Sequence, residues 1–138
     1  MSIPVSDTIF VFQQLFDRES CTYTYLIGDP ESRQAILIDP VFELADRDAK
    51  LVKELDLELK YVMNTHVHAD HVTGTGLLKK MVRTGVESVI SKAAGAIADK
   101  VLDPGQAVEF GSLKLEVRTS AIFWLCFSLS LFNAQVDD

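Results

Sequence analysis

All three histidines of this chain lie within six consecutive residues, HVHADH at positions 66–71, here called the histidine segment. The apolar run before it, residues 59–64, predicts a buried strand. Side chains two apart on an extended chain point to the same side, so His66 and His68 can reach one point, and Asp70 and His71 follow as the chain turns toward a helix. Imidazole and carboxylate groups suit zinc, iron and related divalent ions. The pattern predicts a metal site with these four side chains as candidate ligands.

Length and charge restrict the class of protein. The chain has 138 residues, which fits one domain with a core of its own, and a formal net charge of −7. This acidic balance argues against nucleic acid as a partner, because phosphate binding needs a basic surface. Cys21 and Cys126 form no Cys-x-x-Cys pair, so neither a disulfide framework nor a cysteine zinc site is predicted. The first residues resemble neither a secretory signal nor an Arg-rich transit peptide, which favours a cytoplasmic location.

Hydrophobic periodicity switches repeatedly between strand and helix along the chain. The order predicts an α/β class in which helices cover a mixed sheet. Strands are predicted at residues 9–16, 22–27, 34–38, 59–64 and 86–90, a hairpin at 108–118, and helices at 43–55, 77–82 and 91–98.

Two features flank the predicted metal site. Asp39 follows the apolar run 34–38, and its carboxylate has two possible roles: it orients the metal-binding segment from behind, or it caps its own turn. Gly74 and Gly76 are expected to let the next helix pack closely beneath the histidine segment.

The residues point to a family. THVHADHVTGTGLL at positions 65–78 resembles the signature of the metallo-β-lactamase fold. It resembles more narrowly the persulfide dioxygenase branch, the family of the ethylmalonic encephalopathy protein. CTYTYL at 21–26, AILIDP at 35–40 and SVIS at 88–91 support the same branch, and the match runs from about residue 10 to residue 119.

The resemblance implies an αββα sandwich with the metal at the edge of two sheets. It also implies a mononuclear iron(II), held by two histidines and one aspartate, that uses O2 to oxidise glutathione persulfide to sulfite and glutathione. His66 corresponds to the first of these ligands. His68, Asp70 and His71 match positions that are ligands in dinuclear hydrolase relatives, where zinc is the expected metal, and that lie close by in the iron branch. The family offers a mitochondrial location as the alternative to a cytoplasmic one.

The sequence departs from the family pattern after Ser120. The family continues with a Pro-Gly-His-Thr turn carrying the next metal histidine, whereas this chain has an apolar segment at 121–132 and no histidine after His71. We expect residues 1–120 to form a partial metallo-β-lactamase-like domain, the first half of the sandwich, and residues 121–138 to be a divergent tail. The tail is too short for a membrane span, which needs about 20 residues, and is a candidate surface for self-association.

These departures set the functional expectation. Without the second-half ligands, the isolated chain is expected to have little or no persulfide dioxygenase activity, and the inner face of its first sheet is expected to be exposed. Two alternatives stay open. One is a hydrolase like the hydroxyacylglutathione hydrolases, which use a metal-activated water on a thioester. The other is a non-enzymatic form that associates with other chains.

Overall fold

The computed structural model describes residues 10–65, 75–82, 85–92, 97–119 and 125–131. Strands dominate these parts of the chain, and two α-helices lie among them. The elements are β1 (Val11–Asp17), β2 (Thr22–Gly28), β3 (Gln34–Ile38), a 3-10 turn (Phe42–Leu44), α1 (Ala45–Glu54), β4 (Glu58–Asn64), α2 (Thr75–Met81), β5 (Glu87–Ser91), β6 (Lys100–Leu102), β7 (Ala107–Phe110), β8 (Leu113–Thr119) and β9 (Leu125–Leu131).

The strands form two sheets. The larger has the order β1-β2-β3-β4-β5-β6 and the smaller the order β7-β8-β9. Strands β1 to β3 pair antiparallel, β3 to β6 pair parallel, and β7 to β9 pair antiparallel. A mixed sheet covered by helices confirms the predicted α/β class.

One hydrophobic core lies between the two sheets. Alternate residues of β2 to β5 point to it from the larger sheet, as the two-residue period of a strand requires. Phe110, Leu113 and Val117, all completely buried, meet them from β7 and β8. The larger-sheet members include Ile27, Ile36, Ile38, Met63 and Val89.

A second core lies between the larger sheet and the helices. Ala45 and Val52, about two helical turns apart, form the buried apolar stripe of α1, and Leu78 is the buried apolar residue of α2. They pack on the opposite faces of the same strands, on Leu26, Leu37 and Val62. Residues 35–38 of β3 and 61–63 of β4 are therefore buried on both faces, which explains why these stretches are continuous apolar runs.

An irregularity in β4 sets which face each residue presents. Ala35 pairs with Leu59 and Ile36 with Tyr61, so Lys60 is an extra residue in the register. Leu59 therefore faces the helices while Tyr61 faces the other sheet, although the two are two residues apart. Lys60 Nζ reaches across to donate to the backbone oxygen of Glu109, 3.0 Å away.

The turn between β7 and β8 is fixed to the turn between β2 and β3. The amide of Gly111 donates to Gln34 Oε1 at 2.7 Å, and the amide of Ser112 donates to Asp29 Oδ2 at 3.0 Å. Burial works to raise the pKa of Asp29, but hydrogen bonds from Ser32, Ser112 and the neighbouring amides outweigh it, so the pKa lies below its usual value.

The inner face of the larger sheet extends past the smaller sheet onto β1 and β2. There the rings of Phe10, Phe12, Phe16, Tyr23 and Tyr25 form a continuous row, here called the aromatic face, with successive centroids 4.8 to 6.5 Å apart. Tyr25 packs on the inter-sheet core, whereas Phe12, Phe16 and Tyr23 are 48%, 47% and 48% exposed.

The structure corrects several predicted boundaries. The helix predicted at 43–55 starts as a 3-10 turn and becomes α-helical at Ala45, and the helix predicted at 77–82 begins at Thr75. The helix predicted at 91–98 is wrong at both ends, because Ser91 belongs to β5 and residues 97–98 are not helical; residues 93–96 lie outside the described parts. Strands β6 and β9 were not predicted.

Strand β9 falls within residues 121–138, the segment predicted to be a divergent tail, and pairs with β8 from Leu113↔Leu131 to Thr119↔Leu125. The domain boundary at residue 120 stays a prediction. Neither α1 nor α2 is long and apolar enough to cross a membrane, and the described residues include no other helix that is.

Candidate metal centre

In the sequence, the predicted metal ligands come shortly after β4, a central strand of the larger sheet. Strands β3, β4 and β5 run parallel, so their carboxyl ends meet at the same edge, where ligands of such sheets bind. Asp39 follows β3, Asn64 ends β4 and is followed by Thr65, and the buried Ser91 ends β5. The histidine segment, which lies outside the described residues, directly follows Thr65 in the sequence.

Asp39 holds the residue that precedes the histidine segment. Its Oδ1 accepts the backbone amide of Thr65 at 2.8 Å, and its Oδ2 accepts the Thr65 hydroxyl at 2.6 Å. Both carboxylate oxygens of Asp39 thus accept hydrogen bonds from Thr65. Hydrogen bonds to a carboxylate are stronger than those between neutral groups. Of the two roles left open by the sequence, this contact supports the first, orientation of the segment.

The backbone of Asp39 is fixed from both neighbouring strands. Its amide donates to the oxygen of Met63 on β4 at 2.8 Å, and its oxygen accepts the hydroxyl of the buried Thr24 on β2 at 2.8 Å. Asp39 has a φ of 55°, a left-handed conformation that aspartate tolerates better than most residues. The sharp turn after β3 aims its carboxylate at the end of β4.

A second contact joins the two sides of the histidine segment. Asn64 Nδ2 donates to the hydroxyl of Thr75, the first residue of α2, at 2.8 Å. Asn64 Oδ1 is buried and has no hydrogen-bond donor among the described residues. A buried polar atom in this condition is uncommon and marks positions where water, an ion or a function accounts for it.

The four predicted ligands, His66, His68, Asp70 and His71, lie outside the described residues and stay predictions. Elsewhere, the described ranges hold no group of three His, Cys, Asp or Glu residues that could bind a metal ion. The close packing predicted at Gly74 and Gly76 is against the histidine segment, which lies outside the described residues, and it stays a prediction; among the described residues, a Cβ at Gly76 would meet nothing within 4 Å.

The donor chemistry of the histidine segment fits a divalent metal. Three imidazoles and one carboxylate within six residues are the nitrogen and oxygen donors that zinc and ferrous iron accept. Asp39 holds Thr65, the residue directly before the first candidate ligand, in the way that carboxylates commonly support a metal site from behind.

The turn between β1 and β2 lies at the same edge, because β2 runs antiparallel to β3. It carries the exposed Cys21, whose Sγ donates to the oxygen of Arg18 at 3.7 Å. Asp17 accepts the Ser20 hydroxyl at 2.6 Å, and this bond is the largest cause of the lowered pKa of Asp17. These contacts account for a structured turn and do not identify Cys21 as a ligand.

A buried carboxylate lies in the first turns of α1. Asp48 is completely buried, and burial raises its pKa against the attraction of Arg47. Arg47 Nε donates to Asp48 Oδ1 at 3.0 Å, while its Nη1 donates to the oxygen of Phe16 on β1 at 3.4 Å. The pair therefore ties α1 to the end of β1.

Sequence reasoning missed three residues at this edge: Thr24, Asn64 and Thr75. Each is a polar residue at an otherwise apolar position near the end of a strand or the start of a helix. A polar residue at such a position was the signal that the sequence offered. The hydrogen-bond partner of each side chain could not be predicted, because it depends on the strand order.

Known proteins share this arrangement. Residues 20–115 match the model of the metallo-β-lactamase superfamily. The mitochondrial persulfide dioxygenase ETHE1 of Bos taurus is 56% identical over 110 residues, which cover 80% of this chain and 43% of that protein. A hydroxyacylglutathione hydrolase of Cyanothece is 34% identical over 100 residues, covering 71% of this chain and 38% of that protein.

A solved structure agrees with these sequence matches. The crystal structure of ETHE1 from Myxococcus xanthus superposes with a TM-score of 0.72 at 50% identity, covering 78% of this chain and 47% of the other. The chain spans less than half the length of these relatives. The match confirms the resemblance drawn from the histidine segment, and the two sheets with their helices correspond to the first half of the fold. This chain belongs to the metallo-β-lactamase superfamily.

Proposed function

We propose that this chain carries the first half of a persulfide dioxygenase site, with His66 as the first ligand of a mononuclear iron(II). The observation that carries the proposal is the match of 110 residues at 56% identity to the Bos taurus persulfide dioxygenase. The substrate would be glutathione persulfide, oxidised by O2 to sulfite and glutathione.

When bound, the iron would supply the redox chemistry that brings O2 and a persulfide sulfur together. The chain's own residues do the positioning. Asp39 fixes Thr65, and through it the backbone from which the His66 side chain extends. His68, Asp70 and His71 would line the pocket beside that ligand, where a neutral imidazole can accept or donate a proton near the substrate.

A polypeptide of these 138 residues has no histidine after His71 and no counterpart of the family's second-half aspartate. Ligand number and rigidity decide both the affinity and the geometry of such a site. We therefore expect the isolated chain to bind iron weakly and to consume little O2 with glutathione persulfide.

Metal binding tests this proposal. Anaerobic titration of the full chain with iron(II) should give one weak site that His66→Ala abolishes. Cys21→Ala is the matched control. It removes an exposed thiol, a group that metals can bind, from the same sheet edge, and it should leave the iron affinity unchanged. A chain with no iron affinity, or a His66→Ala variant that binds as well as the parent, would contradict the proposal.

The second candidate function is hydrolysis of a glutathione thioester, and the similarity to a hydroxyacylglutathione hydrolase supports it. Metal content separates the two in a form that continues in frame past Ser120 with the family's second half. One iron per chain favours the dioxygenase; two metals, with cleavage of a glutathione thioester and no O2 consumption, favour the hydrolase.

The third candidate is a non-enzymatic form that associates with other chains, and the apolar segment at 121–132 is its predicted contact. Size-exclusion chromatography with and without a full-length relative tests it, and a monomer that elutes unchanged would count against it. The mitochondrial name of the Bos taurus relative supports the mitochondrial alternative for location. The cytoplasmic location remains a prediction.

A further inference from the structure

The Arg47–Asp48 pair of α1 is a buried charged contact that the candidate metal centre does not use. Asp48 lies in the first turn of the helix and its side chain is completely buried, whereas 31% of the Arg47 side chain is exposed. The guanidinium approaches one carboxylate oxygen twice, since Nε and Nη2 each lie 3.0 Å from Asp48 Oδ1. A buried ionised carboxylate is costly unless such contacts compensate it.

The second carboxylate oxygen of Asp48 is not compensated in this way. Oδ2 is buried and accepts no hydrogen bond from the parts of the chain that the structure describes. Arg47 Nη2 is also buried and, beyond its ion-pair contact with Oδ1, makes no hydrogen bond within those parts. Oδ2 is therefore the atom to which a proton can add without displacing the guanidinium from Oδ1.

The same guanidinium connects α1 to β1. Arg47 Nη1 donates to the backbone oxygen of Phe16 at 3.4 Å, and its positive charge also acts on the carboxylate of Asp17, the last residue of β1. Phe16 and Asp17 form the last two pairs of the β1–β2 ladder before the turn that joins these strands. A change in the Arg47–Asp48 contact therefore alters how firmly this end of β1 is attached to α1.

Among the described residues, Arg47 is the charged group whose attraction works to lower the pKa of Asp48. Burial outweighs that attraction, so the pKa lies above its usual value of 3.8. Asp17 of β1 interacts with the same guanidinium. The strands that pack against α1 contribute apolar side chains to the outer core, among them Leu26, Leu37 and Val62. Burial and one guanidinium thus control the protonation of Asp48.

We propose that the Arg47–Asp48 pair is a proton-sensitive latch between α1 and β1, tight when Asp48 is ionised and loose when Oδ2 carries a proton. Protonation replaces a charge-assisted hydrogen bond by a weaker one from the guanidinium to a neutral carboxyl group. The partly exposed Arg47 side chain then leaves the Phe16 oxygen more often, and the end of β1 separates more readily from α1. The latch goes beyond the proposed function and does not depend on metal binding.

The latch should respond between pH 3.8 and neutral pH. Because its pKa is raised, the folded Asp48 takes up its proton in this range, before an aspartate of the unfolded chain does. Its contribution to stability is fully present below pH 3.8 and is lost as the pH rises through the folded-state pKa, since a neutral carboxyl group is less costly to bury. The pKa values of Asp17 and Asp99 are lowered, so both stay ionised in this range.

NMR titration of the full chain tests proton uptake by the pair. The Asp48 carboxyl carbon and the Arg47 Nε–H resonance should change with one common midpoint above pH 3.8, and Asp48→Asn should abolish the change at Arg47. Asp46→Asn is the matched control, because Asp46 is an exposed aspartate in the same first turn, and it should leave the Arg47 titration unchanged. An Arg47 resonance that stays constant over this range, or that still titrates in Asp48→Asn, would overturn the proposal.

Amide hydrogen exchange tests the hold on β1. After correction for the intrinsic effect of pH, and relative to the amides of β4, residues 15–17 and 22–24 should exchange about fivefold faster once Asp48 is protonated. Asp48→Asn should exchange at the faster rate already at neutral pH. Arg47→Lys keeps the charge but loses the fork of donors, so it should be fast throughout the range. Exchange at the parent rate in both variants, or equal acceleration by Asp46→Asn, would show that the pair does not hold β1.

Discussion

Asp39 shows how one side chain can organise the start of a binding segment. The residue has a strained backbone, yet three neighbouring residues share its polar groups: Thr24 of β2, Met63 of β4, and Thr65, which directly follows β4. The sequence showed an aspartate at a strand end. The sequence could not distinguish orientation of the histidine segment from capping of the turn. The deciding contact joins residues 26 positions apart and depends on β3 lying beside β4.

Replacing Asp39 should destabilise the fold through lost hydrogen bonds. Asp39→Ala leaves the amide and hydroxyl of Thr65 without their acceptor, which costs about 2 kcal/mol in addition to backbone strain. Asp56→Ala is the matched control, since Asp56 has a φ of 53° against 55° for Asp39 but is exposed. Urea unfolding of both variants gives the comparison, and equal losses of stability would show that the carboxylate contacts contribute nothing.

Gly111 is a position where both backbone and space require glycine. Its φ is 63°, and a Cβ would lie 2.0 Å from Asp29 Oδ2 and 2.1 Å from Ser32 Oγ. Gly111→Ala should therefore cost about 3 kcal/mol, as strain and a clash add together.

Gly105 supplies the control for this substitution. Its φ is 90°, but a Cβ would meet nothing within 4 Å, so Gly105→Ala should cost only the strain, about 1 to 2 kcal/mol. Thermal unfolding measures both. A Gly111→Ala variant as stable as Gly105→Ala would mean that the two turns separate without penalty.

At the scale of elements, α2 is joined to the larger sheet by a charged contact as well as by apolar packing. Lys79 donates to Asp99 Oδ2, which also accepts the amide of Ser88 at 2.8 Å and its hydroxyl at 3.1 Å. The Lys79 contact, followed by the Ser88 amide, lowers the pKa of Asp99 to about 2.

This pKa predicts a defined pH window for stability. Because the folded-state pKa lies below the ordinary value of 3.8, the contribution of Asp99 is fully present above that value and is lost as the pH falls toward about 2. The difference in melting temperature between the parent and Asp99→Asn should therefore shrink as the pH falls through this range. A difference that stays constant from neutral to acidic pH would contradict the assignment.

Periodicity predicted the longer elements and failed on the irregular ones. Strand β3 was predicted with its observed bounds, because five consecutive apolar or amphipathic residues end at Asp39. Strand β6 is only three residues long, too short for any period to show. Strand β9 alternates large apolar residues with cysteine or serine, the period of a strand, but the segment was interpreted as a divergent tail. Its pairing with β8 is a tertiary contact that no local pattern contains.

The residues of the candidate metal site likewise fall into those that a local pattern predicts and those that it does not. The identities and spacing of His66, His68, Asp70 and His71 are a local signal, so the sequence predicts them directly. The supporting residues are not local. Thr24, Asp39 and Thr65 come from three separate segments, and Asn64 and Thr75 from the two sides of the histidine segment. They become neighbours only through the strand order.

At the scale of the whole molecule, the aromatic face is an apolar surface that the described residues leave partly in contact with water. Its rings lie on the inner side of β1 and β2, and β1 is also an edge strand with no charged residue between Phe10 and Phe16. An exposed aromatic face next to an uncharged edge strand favours association.

We therefore expect the 138-residue chain to self-associate through the aromatic face. Phe12→Lys should shift the protein toward monomer in sedimentation velocity, because it places a charge within the row of rings. Phe42→Lys is the control, as Phe42 is similarly exposed but belongs to the 3-10 turn before α1. A parent chain that stays monomeric, or an equal shift in both variants, would exclude this face as the contact.

The extra residue in β4 has a consequence for how this strand can vary. Tyr61, Val62 and Met63 take their register from β3, and the irregularity at Lys60 separates them from the first part of the strand. A deletion of Lys60 would place Leu59 directly before Tyr61, and the regular alternation of a strand would keep the two side chains on the opposite faces that they already occupy. The irregularity thus absorbs one residue of chain length without changing the pairing of Met63 with Ile38 or the end of β4 that follows it.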